Sequence, residues 1–185
     1  ENTTNKGGGA IYDFDEIIKI KTLCKKHQLA LHLDGARLWN ALEVTQEDPQ
    51  DYGRIFDTIS LCFSKGLGCP VGSVLVGSKN TIEKALKIRK VLGGGMRQAG
   101  YLAAAASYAL ENHRKDLNED HKKARELAEA LKSSNLVDRV SPVETNIVIF
   151  SLVPENDETE FIHKMKAKGI HFIGLGKGKL RMVTH

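Results

Sequence analysis

The sequence has no stretch approaching ~18 consecutive apolar residues, so nothing in it reads as a membrane-spanning helix. It has no block of one charge. Lysines and acids are interspersed and the net charge is only +4, which argues against a nucleic-acid surface. It has few cysteines, Cys24, Cys62 and Cys69, with no CxxC pair among them. That fits reduced thiols in a cytoplasmic setting better than a disulfide framework, and suggests no metal site. The opening Glu1-Asn2-Thr3-Thr4-Asn5 lacks the basic end and apolar run of a signal peptide. There is no internal repeat and no low-complexity tract.

What is present is ordinary for a globular protein. The 185 residues suffice for one domain or parts of two, and 41% hydrophobic with 27% charged residues is a common balance. The chain opens without methionine and ends after Arg181-Met182-Val183-Thr184-His185, which reads as the middle of an element. Both ends are expected to be truncated.

Periodicity orders the elements. Asp13 with Glu16 three residues on is a helix-start pattern with a reciprocal carboxylate, and Ile17 to Cys24 continue a helical stripe to about His27. Leu29 to Leu33 reads as a short buried strand ending at Asp34-Gly35, followed by a short helix through Leu38, Trp39 and Ala41. Phe56 to Phe63 is a second strand, Ser64 to Pro70 a glycine-rich turn, and Val71 to Val76 a third strand. Helices are predicted over 81–92, 96–112 and 117–132. Beyond about residue 113 the texture changes to strands at 136–140, 146–152, 171–173 and 180–183 around a helix at 158–168. The order predicts an α/β protein. Residues 1–112 form a mixed or parallel sheet with helices on its faces, and 113–185 a small α+β domain.

Two strand ends carry groups that chemistry can use. Lys65 follows an apolar strand in a turn with glycines on both sides of Leu67, where small residues let a flat ligand approach the backbone. In a partly desolvated pocket such an amine can attack a carbonyl. It can equally be a solvated loop lysine. Asp34 ends a short strand, where open α/β sheets place ligands. It can equally cap the following segment or close the turn before Gly35. His32 shares a strand face with Asp34 and can support it, although such a histidine is more often a satisfied core residue. Trp39 reads as core packing and His185 as structural.

The block His32-Leu33-Asp34-Gly35-Ala36-Arg37 and the segment from Ser60 through Lys65 to Ser73, with three further blocks, together resemble the low-specificity L-threonine aldolases, an aspartate-aminotransferase-like family dependent on pyridoxal 5'-phosphate (PLP). His32-Leu33-Asp34-Gly35-Ala36-Arg37 is similar to that family's pyridine-nitrogen motif. The segment from Ser60 through Lys65 to Ser73 is similar to its Schiff-base segment. Glu1 to Asn5, Gly93-Gly94-Gly95-Met96-Arg97-Gln98-Ala99-Gly100 and Arg181 to His185 resemble three further blocks in the expected order. Thr4 stands where many relatives have histidine.

The resemblance implies a fold made of the C-terminal part of the large PLP-binding domain (1–112) plus the small domain (113–185). It implies Lys65 as the Schiff-base lysine and Asp34 as the partner of the pyridine nitrogen. Arg37, Ser64 and Arg97 would join the cofactor site, Arg97 and Lys90 near the phosphate or a subunit interface. Arg37 and Arg181 would hold the substrate carboxylate. It also implies an upstream half with a ring-stacking histidine, a second active-site histidine and a phosphate cradle, none of them visible here. The implied reaction is retro-aldol cleavage of L-threonine or L-allo-threonine to glycine and acetaldehyde by a cytoplasmic homotetramer or dimer. The alternatives are another PLP-dependent β-eliminating lyase, and an inactive fragment serving assembly.

Overall fold

The computed structural model describes residues 1–185. The chain divides into two compact units, residues 1–3 with 12–116, and residues 4–11 with 117–185. The division falls a few residues beyond the change of texture near 113. The return of residues 4–11 to the second unit is marked by no local pattern.

The first unit opens with helix α1 (Phe14–Lys26). The Asp13 carboxylate accepts the Glu16 amide at 3.0 Å, satisfying one of the donors a helix start leaves unpaired. The reciprocal half of the box does not form, because the Glu16 carboxylate turns to Lys19 Nζ at 2.6 Å instead. Strand β1 (His32–Gly35) starts later than the apolar run suggested. The Leu29 amide closes α1 on the Cys24 carbonyl at 2.9 Å, and the Leu31 amide is taken by the Asp57 carboxylate at 2.7 Å. The ladder therefore begins only at His32. Asp57 also receives Lys21 Nζ at 2.8 Å. The Leu31 amide first, and Lys21 second, hold its carboxyl below the usual carboxylate range.

Strand β1 runs parallel to β2 (Thr58–Cys62), and parallel neighbours need a crossover between them. It is made by α2 (Leu38–Thr45) and α3 (Pro49–Ile55). Helix α3 was not expected from periodicity, yet its signal is local. The Asp48 side chain caps the Gln50 amide at 2.8 Å, and Pro49 sits at the first helical position. Leu33, Leu38, Ala41, Leu42, Tyr52 and Ile59 are buried. The Tyr52 hydroxyl donates to Glu47 Oε2 at 2.6 Å, and burial with that carboxylate pushes its ionisation above the tyrosine range.

Strand β3 (Ser73–Gly77) is antiparallel to β2, so the sheet is mixed, in the order β1-β2-β3. Helix α4 (Lys79–Val91) follows, capped by Ser78. Helix α5 (Gly100–Asn112) begins later than the expected residue 96. Gln98, at φ 54°, leaves helical geometry just before it. A single 3-10 turn, Arg114–Asp116, ends the unit.

The second unit is an antiparallel sheet in the order β4-β5-β7-β6 with helices α6 (Leu117–Lys132) and α7 (Glu158–Ala167). Its strands are β4 (Val137–Val140), β5 (Ile147–Leu152), β6 (Ile173–Gly176) and β7 (Lys179–Val183). Central β5 is almost wholly buried, as its apolar run from Ile147 to Phe150 demands, and only Ser151 is partly open. Val148 packs with Ala124 and Ala128 of α6, while Phe150 packs with Leu152 and Leu180. Residues 4–11 join this unit through the Thr145 hydroxyl, which donates to the Gly9 carbonyl at 2.9 Å. No helix is long and apolar enough to cross a membrane.

His121, on α6, is 1% exposed. Burial, aided by the charge of Arg125, lowers its pKa to about 4. Its folded value lies below the unfolded one, so the neutral ring stabilises the fold above pH ~6.5. That stability is lost as pH falls from ~6.5 toward 4, by up to ~3 kcal/mol. Denaturant midpoints measured across this interval should fall in wild type and flatten in His121→Gln.

Candidate active site

Alternation along β1 sorts its residues onto two faces. Leu33 and Gly35 are buried, while His32 and Asp34 are exposed on the other side. The parallel register sets His32 beside Thr58 and Asp34 beside Ser60. His32 Nδ1 lies 2.8 Å from the Thr58 hydroxyl, so the two polar faces are one. The expectation of a core position for His32 is thereby corrected: it is exposed on the face that carries Asp34. Period-two spacing carries that face on from Ser60 to Cys62.

Lys65 lies beyond the end of β2, half-buried in the turn. Its Nζ donates to Cys62 Sγ at 3.2 Å. The contact folds the side chain back over the strand end, onto the face that carries Asp34. Ser60, opposite Asp34, and Cys62 are two residues apart. The anchor of the amine is thus about 7 Å along the strand and about 5 Å across from Asp34. The structure sets on one sheet face an amine and a carboxylate that the sequence separates by 31 positions. Cys62 was missed from the sequence as a contact of Lys65. The available signal was its place in the alternation Thr58, Ser60, Cys62.

Asp34 closes the turn before Gly35. Its Oδ1 accepts the Ala36 amide at 3.0 Å, the local turn bond its residue type favours. This leaves Oδ2 for a ligand. The strand end is also held from the start of the chain. The Asn2 amide donates to the Asp34 carbonyl at 3.0 Å, and Asn2 Oδ1 accepts the Tyr12 amide at 3.4 Å. Gly35 permits β1 to approach β2. A Cβ there would lie 2.9 Å from the Ser60 carbonyl oxygen and 3.0 Å from Leu61 Cδ2. Backbone cannot yield cheaply, so Gly35→Ala should destabilise the fold by ~1–3 kcal/mol. A denaturant midpoint indistinguishable from wild type would contradict this.

The remaining expected residues are distributed unevenly. Ser64 is exposed beside Lys65, and Arg37 is half-buried immediately before α2. Arg97 and Lys90 are exposed, in and near the segment between α4 and α5, and no hydrogen bond ties either to Lys65 or Asp34. Arg181 lies on β7 opposite Ile149 in the second unit. One arm of its guanidinium donates to the Asn5 side chain, and its buried Nε–H has no partner. Trp39 is half-buried, with the Arg114 guanidinium 4.6 Å above its ring. Lys123 Nζ donates to the His185 carbonyl at 3.0 Å.

Solved structures define the class. A Leishmania major threonine aldolase matches with a TM-score of 0.77 at 23% identity, covering 99% of this chain and 54% of that one. The histidinol-phosphate aminotransferase of Clostridium acetobutylicum matches with a TM-score of 0.69 at 20% identity, covering 99% and 57%. The fold is therefore that of the PLP-dependent, aminotransferase-like enzymes. Sequence comparison narrows this. The profile of the beta-eliminating lyase family matches residues 1–154, and the chain belongs to that family. The low-specificity L-threonine aldolase 1 of Arabidopsis thaliana is 40% identical over 188 residues, covering 100% of this chain and 52% of that protein. The chain spans about half the length of the curated relatives it matches.

The residues present fit the PLP that the fold family implies. An amine able to condense with an aldehyde and a carboxylate with an uncommitted oxygen share one open polar face.

Proposed function

We propose that this chain supplies the cofactor-bearing residues of a PLP-dependent aldolase. It would cleave the Cα–Cβ bond of L-threonine or L-allo-threonine, giving glycine and acetaldehyde. The observation that carries the reading is the placement of Lys65 Nζ and Asp34 over one face of β1 and β2. Bound PLP would supply a ring that accepts the electrons of the broken bond.

Lys65 would hold the cofactor through its amine. The uncommitted oxygen of Asp34 would keep a proton on the ring nitrogen, so that the ring stays electron-poor. His32, fixed by the Thr58 hydroxyl, lines the same face. Ser64 and Arg97 are proposed to contribute to the cofactor site. Arg37 and Arg181 are assigned to the substrate carboxylate. The buried, unpartnered Nε–H of Arg181 is a donor that a carboxylate oxygen would satisfy. A carboxylate gripped by a guanidinium would hold the substrate in one orientation, and orientation selects the bond to break. A homo-oligomer, a dimer of dimers, is part of the proposal. The exposed apolar side chains Val91, Leu92, Met96 and Tyr101 support an assembled protein.

The family leaves a β-elimination reading, in which the same lysine and aspartate serve a different bond. Product analysis on the full-length, PLP-loaded enzyme separates the two. Glycine with acetaldehyde from L-threonine supports the aldolase; a 2-oxo acid with ammonia overturns it.

A further inference from the structure

Strand pairing fixes β1 and β2 against each other as far as Leu61, and β2 against β3 as far as Cys62. Lys65 lies beyond the ladder, in a loop whose placement must come from elsewhere. Internally the loop is closed by the Gly68 amide on the Lys65 carbonyl at 2.8 Å and the Cys69 amide on the Phe63 carbonyl at 3.1 Å. The start of the loop is tied where the Phe63 amide donates to the Gly72 carbonyl at 3.0 Å, and the part beyond Lys65 needs a further hold.

The C-terminal end of α5 supplies the hold. His113 Nδ1 lies 2.9 Å from the Leu67 carbonyl oxygen. A carbonyl only accepts, so Nδ1 carries the proton. Gly68 at φ 72° turns the backbone so that this carbonyl and the imidazole meet; a Cβ there would be 3.8 Å from Nδ1. The Tyr108 ring meets the imidazole edge-on, with centroids 5.5 Å apart at 84°, which fixes its orientation. Cys69 Sγ donates weakly to the Ala105 carbonyl at 3.7 Å, one loop residue further along. The next residue, Arg114, holds the other side of the site. Its guanidinium stacks over Trp39 at 4.6 Å, and Trp39 lies on α2, directly after the turn bearing Asp34 and Arg37.

We infer that the adjacent pair His113 and Arg114 is a brace for the site, with His113 the positioning residue that holds the Lys65 loop through the Leu67 carbonyl. Neither residue touches the reacting groups. Their effect passes through the backbone of residues 65–69 and through α2. The inference rests on the reading of Lys65 as the cofactor lysine only for its catalytic consequence; the hold itself does not.

The test uses the full-length, PLP-loaded enzyme with two replacements of opposite design. His113→Phe keeps a ring against Tyr108 and removes the donor. His113→Asn removes the ring and keeps an N–H near the position of Nδ1. In His113→Phe, amide hydrogen exchange over residues 64–70 should quicken by about tenfold. The pH midpoint of the visible band of the bound cofactor should also shift. His113→Asn should lie close to wild type in both readouts. Equal disturbance by both variants, or exchange in a folded His113→Phe that matches wild type, would overturn the brace. Should neither variant fold, nitrogen-15 spectra of wild type decide, because a His113 ring protonated only at Nε2 would overturn it. Borohydride reduction and peptide mapping run alongside. Cofactor trapped away from position 65 defeats the lysine reading, while the exchange result still judges the hold.

Discussion

Lys65→Ala, made in the full-length enzyme, is expected to abolish the visible band of the bound cofactor and to lower aldehyde release by at least about 10³-fold. The reason is specific to this chain. Lys65 Nζ is the amine seated on the face shared by β1 and β2, held there by Cys62 Sγ. The cysteine cannot take its place, because an imine forms only on an amine and a thiol has none to offer. The fold should survive the change. The Lys65 carbonyl closes the loop through its backbone, and the side chain contributes one part-buried contact to a thiol. Absorption spectroscopy, with acetaldehyde release from L-threonine measured in parallel, checks both expectations. A variant that keeps the wild-type band and rate would remove Lys65 from the site.

The second large effect belongs to Asp34. Alanine there should lower cleavage by about 10²–10⁴-fold, since an unprotonated pyridine accepts electrons poorly. Alanine also removes the turn bond that Oδ1 makes with the Ala36 amide, a structural loss of about 0.5–1.5 kcal/mol. Asparagine separates the two roles. Its side-chain oxygen can still accept the Ala36 amide, but it offers no charge to hold a proton on the ring. Asp34→Asn should therefore recover most of the stability lost in Asp34→Ala and little of the rate. Recovery of near wild-type turnover by asparagine would mean that the turn, and not the charge, is what the position provides.

The elements of this fold that were legible in the sequence are those with a local cause. Helix α6 was read to its ends because its apolar stripe is long, and α1 because Asp13 caps it. The order of strands around Asp34 and Lys65 followed from two apolar runs closed by turns. Some features had causes lying elsewhere in the chain. Strand β1 begins at His32 because the distant Asp57 takes the Leu31 amide. His32 was expected in the core and instead faces the open side, because only one face of β1 is covered. The joining of residues 4–11 to the second unit rests on Glu144, Thr145 and Arg181, all more than a hundred residues away.

The candidate site divides in the same way. Asp34 and Lys65 could be nominated from their strand ends and from resemblance, since both lie in compact motifs. Their common face rests on the parallel register of β1 with β2 and on the bond from Lys65 to Cys62, neither of which a local pattern fixes. The hold of His113 on Leu67 spans 46 positions, and no periodic pattern marks it. Arg97, nominated from its glycine-rich block, stands exposed with no bond to the other site residues.

The most direct test is chemical trapping. The full-length enzyme is loaded with PLP, reduced with borohydride, digested, and its peptides are weighed. The account predicts a single labelled peptide with the cofactor mass on Lys65, and loss of that label in Lys65→Ala. Cofactor found on another lysine, or an unmodified position 65 in a protein that still carries reduced cofactor, would contradict it.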